Sequence, residues 1–382
     1  MWQITKEMIH RELEDTIRGR IGAGKAIIIM GPRQVGKSTL LHSIFDADPN
    51  ALWIDADNIG TQMTFEDATS EMIRTIIGNH KVVIIDEAQN LSNAGLTLKR
   101  ITDYISDVQL VATGSSSFEL ADKIKEALTG RKWEYRLYPI SFSEMSHTGD
   151  ILKETSMLEH RMVYGYYPEV VSTPGDEKAI LSSLASDYLY KDIIKIDGIK
   201  KTDRLVRLLR ALALQIGSQV SYNEVAQTCG LDPKTVEKYI DILEQSYIVF
   251  RLGSFSRNMR NELKKSKKIY FYDLGIRNAI LNNFTPFANR DDHERGGLWE
   301  NFLITERLKH CEYNGIIANK YFWRTKDNKE IDYIEEYDGI LHTYEFKLKK
   351  DKESQAINSF KKAYPNSTHE IINISDFQQF II

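Results

Sequence analysis

The sequence predicts an α/β protein whose first part is a parallel β-sheet carrying a phosphate-binding loop. Two stretches lead to this prediction. The apolar run 26–30 leads directly into GPRQVGKST at 31–39, which has the spacing of a phosphate-binding loop between a strand and a helix. A second apolar run, 82–85, ends in Asp86 and Glu87. Buried parallel strands are typically continuous apolar runs with functional residues at their carboxyl ends, so both stretches are expected at one site.

The loop at 31–39 has the residue types that bind nucleotide phosphates. Gly31 and Gly36 give the backbone the space and dihedral angles to curl its N–H groups around phosphate oxygens. The helix that begins near Lys37 directs its positive dipole end at the same charge, and Lys37 reaches the outer phosphates. The Ser38 hydroxyl is a ligand for Mg²⁺, so we expect ATP and Mg²⁺ as cofactors. The expected ATP-binding residues are Gly31, Pro32, Arg33, Gln34, Val35, Gly36, Lys37, Ser38 and Thr39.

The ends of two further strands supply the remaining polar groups of this site. Asp86 is expected to hold Mg²⁺ together with Ser38, and Glu87 to orient and polarise the attacking water. Another buried strand, 108–114, ends at Ser115, whose hydroxyl is a candidate for sensing the γ-phosphate. The alternative for Ser115 is that it only caps the helix that follows. The predicted catalytic residues here are Lys37, Glu87 and Ser115.

Length and composition limit the classes of protein that fit. A chain of 382 residues is expected to form two or three domains. The net charge of −4 excludes a basic surface over the whole molecule, so any nucleic-acid site must be local. Two cysteines without a CxxC pair, and nine histidines without metal spacing, predict a reduced protein lacking structural zinc. Without an apolar signal core or a membrane-length apolar run, we expect a cytoplasmic protein with no membrane partner.

The motifs resemble those of the AAA+ ATPases. GPRQVGKST, IIDEAQ, ATGSSS and LTGRKWEYRLYPISFSEM together resemble a bacterial and archaeal family of AAA ATP-binding proteins with a C-terminal domain of unknown function. The resemblance covers essentially the whole chain. It implies a parallel sheet in which the Asp86 strand lies beyond the next-but-one strand from the phosphate loop. It also implies that Arg131 is a catalytic arginine finger acting on a neighbouring subunit's ATP in a homo-oligomer; the alternative is a surface salt bridge.

Residues beyond the ATPase core are expected to form three further parts. A helical, lid-like segment is followed by a unit with a capping box at 221–224, a helix at 233–245 and a strand pair at 247–252 and 267–272. This order of helix, turn, helix and hairpin resembles a winged-helix domain. The predicted domains are the P-loop ATPase core 1–141, the helical lid 142–200, the winged-helix domain 201–285 and a C-terminal domain 286–382.

The wing of the winged-helix unit, residues 251–268, is the basic part of the chain. Its cations are Arg251, Arg257, Arg260, Lys264, Lys265, Lys267 and Lys268. The second helix also carries acids, which makes it a poor groove-reading helix, so we expect any nucleic-acid contact at the wing to be with phosphates. Winged helices also dock proteins, and that alternative stays open.

The C-terminal domain resembles the PD-(D/E)xK nuclease superfamily. Asp332, then twelve residues, then Glu345 and Lys347 match its Asp…Glu-x-Lys pattern, and Glu300 on the preceding helix is the expected supporting ligand. The expected elements are a helix opening at 298–303, strands at 321–326, 330–337 and 341–349, a helix at 354–363 and a strand at 370–374. Two carboxylates would bind a divalent cation, with Lys347 stabilising charge at the phosphate. The alternatives are a charged strand ladder, or a nuclease fold that binds without cutting.

The sequence thus predicts an ATPase that uses its nucleotide state to control a C-terminal module, with nucleic acid as the expected partner. Two alternatives remain: an ATP-regulated, metal-dependent nuclease, and a non-catalytic scaffold or DNA-binding protein switched by the nucleotide.

Overall fold

The computed structural model describes residues 8–115, 127–188, 202–256, 267–325, 327–349 and 355–382. The chain divides into two compact units. Among the described residues, the first contains those up to 140 together with 245–247, and the second contains 141–188, 202–244 and those from 248 onward. The domain limits predicted near 141, 200 and 285 stay predictions.

A parallel β-sheet forms the first unit. Its strands are β1 (Ala26–Met30), β2 (Ala51–Asp55), β3 (Val82–Asp86), β4 (Gln109–Gly114) and β5 (Lys132–Arg136), in the spatial order β2-β3-β4-β1-β5. Each neighbouring pair is parallel. Only β4 lies between β1 and β3, so the strand of Asp86 is itself the next-but-one strand from the phosphate loop. The resemblance had implied a position beyond it, one strand too far.

Helices surround this sheet. They are α1 (Leu13–Arg18), α2 (Lys37–Phe45), α3 (Ile59–Phe65), α4 (Ser70–Ile77) and α5 (Ala94–Tyr104), with a 3₁₀ turn at Ala88–Asn90. Among the described residues before β1, the helix α1 is confined to Leu13–Arg18. The helix α4 begins after Thr69, whose side chain caps it by accepting a hydrogen bond from the Met72 amide.

Short helices open the second unit. They are Phe142–Thr148, Ile151–Ser156, Leu158–Tyr164, Pro168–Ser172 and Glu177–Ser183, followed by a π-helical turn at Leu184–Tyr188. The described part of the segment predicted to be a lid is therefore helical, while its last residues, 189–200, lie outside the described ranges.

The next elements follow the predicted order of helix, helix and strand pair. They are a helix at Thr202–Leu214, β6 (Gln219–Val220), helices at Tyr222–Cys229 and Pro233–Gln245, β7 (Val249–Ser254) and β8 (Lys267–Phe271). Capping residues bound two of these helices. Ser221 caps the second helix, Gly230 ends it in a left-handed conformation, and the Asp232 carboxylate accepts a hydrogen bond from the Thr235 amide at 2.9 Å.

A mixed seven-stranded sheet joins these strands to the C-terminal segment. Its last members are β9 (Asn319–Arg324), β10 (Glu330–Tyr337), β11 (Ile340–Lys347) and β12 (Ser367–Asn373), and the spatial order is β12-β11-β10-β9-β7-β8-β6. The accompanying helices are Leu274–Leu281, Asp292–Tyr313, Gln355–Ala363 and Gln378–Ile381, with a 3₁₀ turn at Phe287–Asn289. Parallel pairing of β7 with β9 makes the hairpin and the C-terminal strands one sheet.

A helix that spans a membrane must be both long and continuously apolar. No helix in the described ranges meets both conditions.

Candidate functional site

The phosphate loop lies between β1 and α2, and two glycines permit its path. A Cβ atom at Gly31 would lie 2.1 Å from the carbonyl oxygen of Leu137, so a side chain there would force the loop away from the neighbouring backbone. Gly36, the residue before α2, has φ = 92°, a conformation that residues with a side chain rarely adopt. Both glycines are therefore required by geometry, at the positions that the sequence pattern indicates.

Lys37 is folded back onto the loop. Its ammonium donates hydrogen bonds to the carbonyl oxygens of Gly31 and Pro32, at 3.2 and 2.9 Å, and lies 3.6 Å from the Glu87 carboxylate. Only 4% of the residue is exposed. Burial lowers the pKa of Lys37 below its ordinary value, although the Glu87 and Asp86 carboxylates act in the opposite direction. The loop thus contains a buried ammonium whose charge is only partly balanced by the nearby carboxylates. Negative charge from a bound anion would stabilise it.

Arg11 anchors the loop from outside, and the sequence pattern did not indicate it. The buried guanidinium donates to the carbonyl oxygens of Val35 and Tyr138, each at 2.7 Å. These two carbonyls are 103 residues apart in the chain (138 − 35), one in the phosphate loop and one just after β5. Arg11 therefore ties the loop to the strand beside it.

Ser38 and Asp86 meet at the carboxyl edge of the sheet. The Ser38 hydroxyl donates to Asp86 Oδ2 at 2.7 Å, and the Thr113 hydroxyl donates to the other oxygen of the same carboxylate. A hydroxyl beside a carboxylate is the hard-oxygen donor set that Mg²⁺ prefers. The two predicted metal ligands are thus adjacent and fit the ion.

A chain of hydrogen bonds connects Glu87 with Ser115 through Gln89. The Gln89 amide nitrogen donates both to the Glu87 carboxylate and to Ser115 Oγ, the latter at 2.8 Å. Burial alone would raise the pKa of Glu87, but the Lys37 ammonium and the donors Gln89 and Ser115 hold it below its ordinary value. Glu87 has a left-handed backbone (φ = 50°), held by a bond from its amide to Thr113 Oγ1 at 2.9 Å. Gln89 was missed in the sequence, where its place two residues after Glu87 is the only signal.

The other residues expected to bind ATP line the same loop. Arg33 is half-buried and its charge acts on both Lys37 and Glu87, whereas Gln34 and Thr39 are exposed. Val35 is fully buried and contributes its carbonyl to the contact with Arg11.

Arg131 lies at the surface, before β5. Its guanidinium forms a salt bridge with Asp103 of the same chain, and about half of its side chain remains exposed. This pairing is the surface salt bridge that the sequence left open as the alternative to an arginine finger.

The residues of the expected nuclease site lie on adjacent strands. In the antiparallel ladder of β10 and β11, Tyr333 pairs with Tyr344, and Asp332 and Glu345 each lie one residue beyond this pair. The Asp332 carboxylate accepts a hydrogen bond from the Phe346 amide at 2.8 Å, and Lys347 Nζ lies 3.9 Å from the buried Glu345 carboxylate. Asp332 and Glu345 are therefore on neighbouring strands, and their role in one site stays a prediction.

Glu300 faces a lysine that the sequence analysis assigned to the basic wing. Lys268 Nζ lies 2.7 Å from Glu300 Oε1 and 2.5 Å from Glu330 Oε1, and the Tyr270 hydroxyl donates to the same oxygen of Glu300. Burial raises the pKa of Glu300 to about 7, and the nearby Asp332 carboxylate adds to the rise. Among the residues that the structure describes, no three His, Cys, Asp or Glu side chains are grouped so as to hold a metal ion. The predicted nuclease site of Glu300, Asp332, Glu345 and Lys347 stays a prediction.

The basic wing is less available than its composition predicts. Arg251 forms salt bridges with Glu244 and Asp241 of the Pro233–Gln245 helix. Lys268 is buried, and Lys267 lies over the ring of Tyr222, with Nζ 5.9 Å from the ring centre. The remaining cations of the wing, at 257–265, lie outside the described residues.

Family models match three successive parts of the chain. Residues 23–146 match the family model described as an AAA domain, and residues 155–286 and 295–381 match two models described as domains of unknown function, DUF8612 and DUF4143. An uncharacterized protein of Haemophilus influenzae is 26% identical over 341 residues, covering 82% of this chain and 80% of that protein. An uncharacterized protein of Mycobacterium tuberculosis is 23% identical over 341 residues, covering 88% and 73%.

One solved structure shares the fold over most of its length. A Walker-type ATPase of Pyrococcus abyssi superposes with a TM-score of 0.53 at 16% sequence identity, covering 72% of this chain and 97% of that one. Together with the match to an AAA domain, this likeness supports an AAA-type P-loop ATPase, joined to a C-terminal region that matches domains of unknown function.

Proposed function

We propose that this protein binds ATP with Mg²⁺ in the loop at 31–39 and hydrolyses it. The observation that carries the proposal is the buried Lys37 ammonium beside the Ser38–Asp86 pair, with Glu87 at the adjoining strand end. These groups supply the parts that phosphoryl transfer needs: a cation for the outer phosphates, oxygen ligands for Mg²⁺ and a carboxylate for the attacking water. The structural likeness and the AAA match are consistent with this chemistry.

Each side chain has one task in this proposal. Lys37 exchanges its bonds to the loop carbonyls for phosphate oxygens, which provide the negative charge its surroundings lack. Ser38 and Asp86 would hold Mg²⁺, which supplies charge neutralisation at the phosphates. Glu87, whose low pKa keeps it ionised at neutral pH, accepts a hydrogen bond from the attacking water and orients it. Ser115 contacts the γ-phosphate from the end of β4.

Two substitutions test the assignment. Lys37→Ala should abolish ATP binding measured by calorimetry, because it removes the buried cation. Glu87→Gln should keep binding while phosphate release falls by about 10- to 1,000-fold, the scale for losing a catalytic base. Lys81→Ala is the matched control, since Lys81 is an exposed lysine of the same unit that pairs with Asp107. ATP binding by Lys37→Ala at wild-type affinity would refute the proposal.

We further propose that Arg131 acts between subunits of a homo-oligomer. The support is its position in the chain, between the strand that ends at Ser115 and β5, together with its exposure. In this proposal Arg131 leaves Asp103 for a neighbouring subunit's ATP when the oligomer assembles.

The nucleotide state is proposed to control the second unit. Its order of helix, short strand, two helices and hairpin at 202–271 supports a winged-helix assignment, and the helix and strand order at 292–373 supports a nuclease-like fold. Nucleic acid is the proposed partner, contacted through the wing and the C-terminal segment. ATP turnover measured with and without DNA or RNA tests this: a change of turnover is expected, and none with either polymer favours the scaffold alternative.

The alternative of a metal-dependent nuclease rests on Asp332, Glu345 and Lys347. Incubation of supercoiled plasmid with the protein and Mg²⁺ or Mn²⁺ tests it. Nicking that is lost in Asp332→Ala while ATP hydrolysis survives would favour the nuclease.

A further inference from the structure

The acidic cluster of the second unit surrounds a lysine at its centre. We define the Lys268 cluster as Lys268, Glu300, Glu330, Asp332 and Arg324. Lys268 is 1% exposed, on β8, which pairs with β7 on one side and β6 on the other. Glu300 comes from the Asp292–Tyr313 helix, and Glu330 and Asp332 from β10. Arg324 is the last residue of β9, so the cluster joins four elements: β8, the Asp292–Tyr313 helix, β9 and β10.

The ammonium makes the contacts that a metal cation would make. Lys268 Nζ lies 2.7 Å from Glu300 Oε1 and 2.5 Å from Glu330 Oε1, and the charge of Asp332 acts on it as well. Arg324 lies 3.1 Å from the other oxygen of Glu330. Two cations thus face three carboxylates. Burial disfavours the charge of Lys268, but the carboxylates of Glu300, Asp332 and Glu330 outweigh burial and raise its pKa.

Both oxygens of Glu300 have close neighbours. Its Oε1 is shared by Lys268 and the Tyr270 hydroxyl. Its Oε2 lies near Gly217, where an added Cβ atom would be 3.3 Å from that oxygen. A divalent ion bound by Glu300 and Glu330 would compete with the Lys268 ammonium for the same carboxylates and leave that buried cation without them.

We propose that Lys268 is the resident cation of this cluster: its ammonium takes the place of the divalent metal that the nuclease resemblance implies. The C-terminal segment is accordingly built without a metal, and Lys268 instead fastens the hairpin strand β8 to the long helix and to β10. The inference goes beyond the proposed ATPase activity and does not depend on it.

Removal of the ammonium is the direct test. Mn²⁺ binding is measured by titration calorimetry on the full chain without nucleotide, for wild type, Lys268→Met and the control Lys267→Met. Methionine keeps an unbranched apolar side chain slightly shorter than that of lysine and removes the ammonium with its charge and its hydrogen-bond donors. Wild type and Lys267→Met should show no Mn²⁺ site that depends on Glu300. Lys268→Met should gain one site that binds Mn²⁺ at least tenfold more tightly than any residual binding of the wild type, and Glu300→Gln added to Lys268→Met should remove that site.

The wild-type protein provides a second test that does not require the variant to fold. Its thermal unfolding in EDTA and in Mn²⁺, without nucleotide, should coincide. A wild-type protein that binds one Mn²⁺ and loses it in Asp332→Asn would overturn the proposal. So would a folded Lys268→Met protein with no gain of Mn²⁺ binding. Neither result bears on ATP binding, which Lys37→Ala tests separately.

Discussion

Gln89 is the residue whose substitution tests the ATPase site most sharply. Its amide nitrogen donates to both Glu87 and Ser115, so it links the group that orients water to the group at the γ-phosphate. We predict that Gln89→Ala lowers kcat with little change in KM, because the lost hydrogen bond acts on Glu87 and not on the loop that binds the phosphates.

The size of the effect follows from the nature of the bond. A hydrogen bond to a charged group contributes about 1.5–3 kcal/mol, which corresponds to about 10- to 150-fold in rate. The Glu87 side chain is 20% exposed, and water can replace part of the lost donor. We therefore expect kcat to fall about 10- to 50-fold.

The pH profile separates positioning from a general loss of structure. Gln89 is one of the donors that lower the pKa of Glu87, so its removal should raise that pKa. Because Glu87 acts as the ionised base, the acid limb of kcat should move to higher pH. Steady-state phosphate release across pH measures both effects. Asn90→Ala is the matched control, since the Asn90 side-chain amide donates to Asp57 and not to the Glu87 carboxylate, and the substitution keeps the backbone bond from Asn90 to the Glu87 carbonyl.

A double-mutant cycle with Ser115→Ala completes the test. If Gln89 couples the two groups, the combined loss in Gln89→Ala/Ser115→Ala should be clearly smaller than the sum of the single losses. An unchanged kcat and acid limb in a folded Gln89→Ala protein would refute the reasoning.

Three further predictions concern charged side chains. Arg11→Met should lower the free energy of unfolding by about 2–4 kcal/mol, because two buried carbonyls lose a charged donor, and weaken ATP binding; denaturant titration and calorimetry measure these, and a neutral substitution would contradict the anchoring role. Arg131→Ala should lower ATP turnover but not affinity, with activity partly restored on mixing with Glu87→Gln subunits; absence of rescue in a monomeric protein would end the intersubunit proposal. Arg251→Gln should cost about 1 kcal/mol of stability but leave the salt dependence of any DNA complex unchanged, since a cation paired within the chain releases no counterion; a slope changed by about one unit would show a phosphate contact.

Short-range sequence signals predict many of the helices and strands. The strand at 330–337 and the helix beginning at Pro233 have the predicted limits, since apolar runs, caps and a proline that fixes φ act over a few residues. The central strands of the first unit likewise follow from their apolar runs. Other local features do not follow from apolar spacing. Residues 8–11 are not helical, and Arg11 among them contacts the phosphate loop.

The partners of charged residues could not be predicted in the same way. The sequence places Lys268 and Arg251 in a basic wing, because composition counts charges without locating their counterions. Lys268 meets Glu300 only after β8 packs against a helix some 30 residues later in the chain. The link from Gln89 to Ser115 likewise depends on the neighbouring positions of β3 and β4. Such contacts arise from tertiary packing, which residue spacing does not contain.

Lys37 and Lys268, both buried, show that the same side chain can favour an anionic ligand at one site and disfavour a cation at another. At Lys37 burial outweighs the nearby carboxylates and lowers the pKa, so added negative charge from phosphate is favourable. At Lys268 the carboxylates outweigh burial and raise the pKa, so the charge is already balanced within the protein. An anion is therefore attracted to Lys37, whereas a cation that binds the carboxylates around Lys268 must displace the Lys268 ammonium. This difference in local charge, rather than the sequence motif alone, is why we place the chemistry at the phosphate loop and assign the C-terminal cluster a structural role.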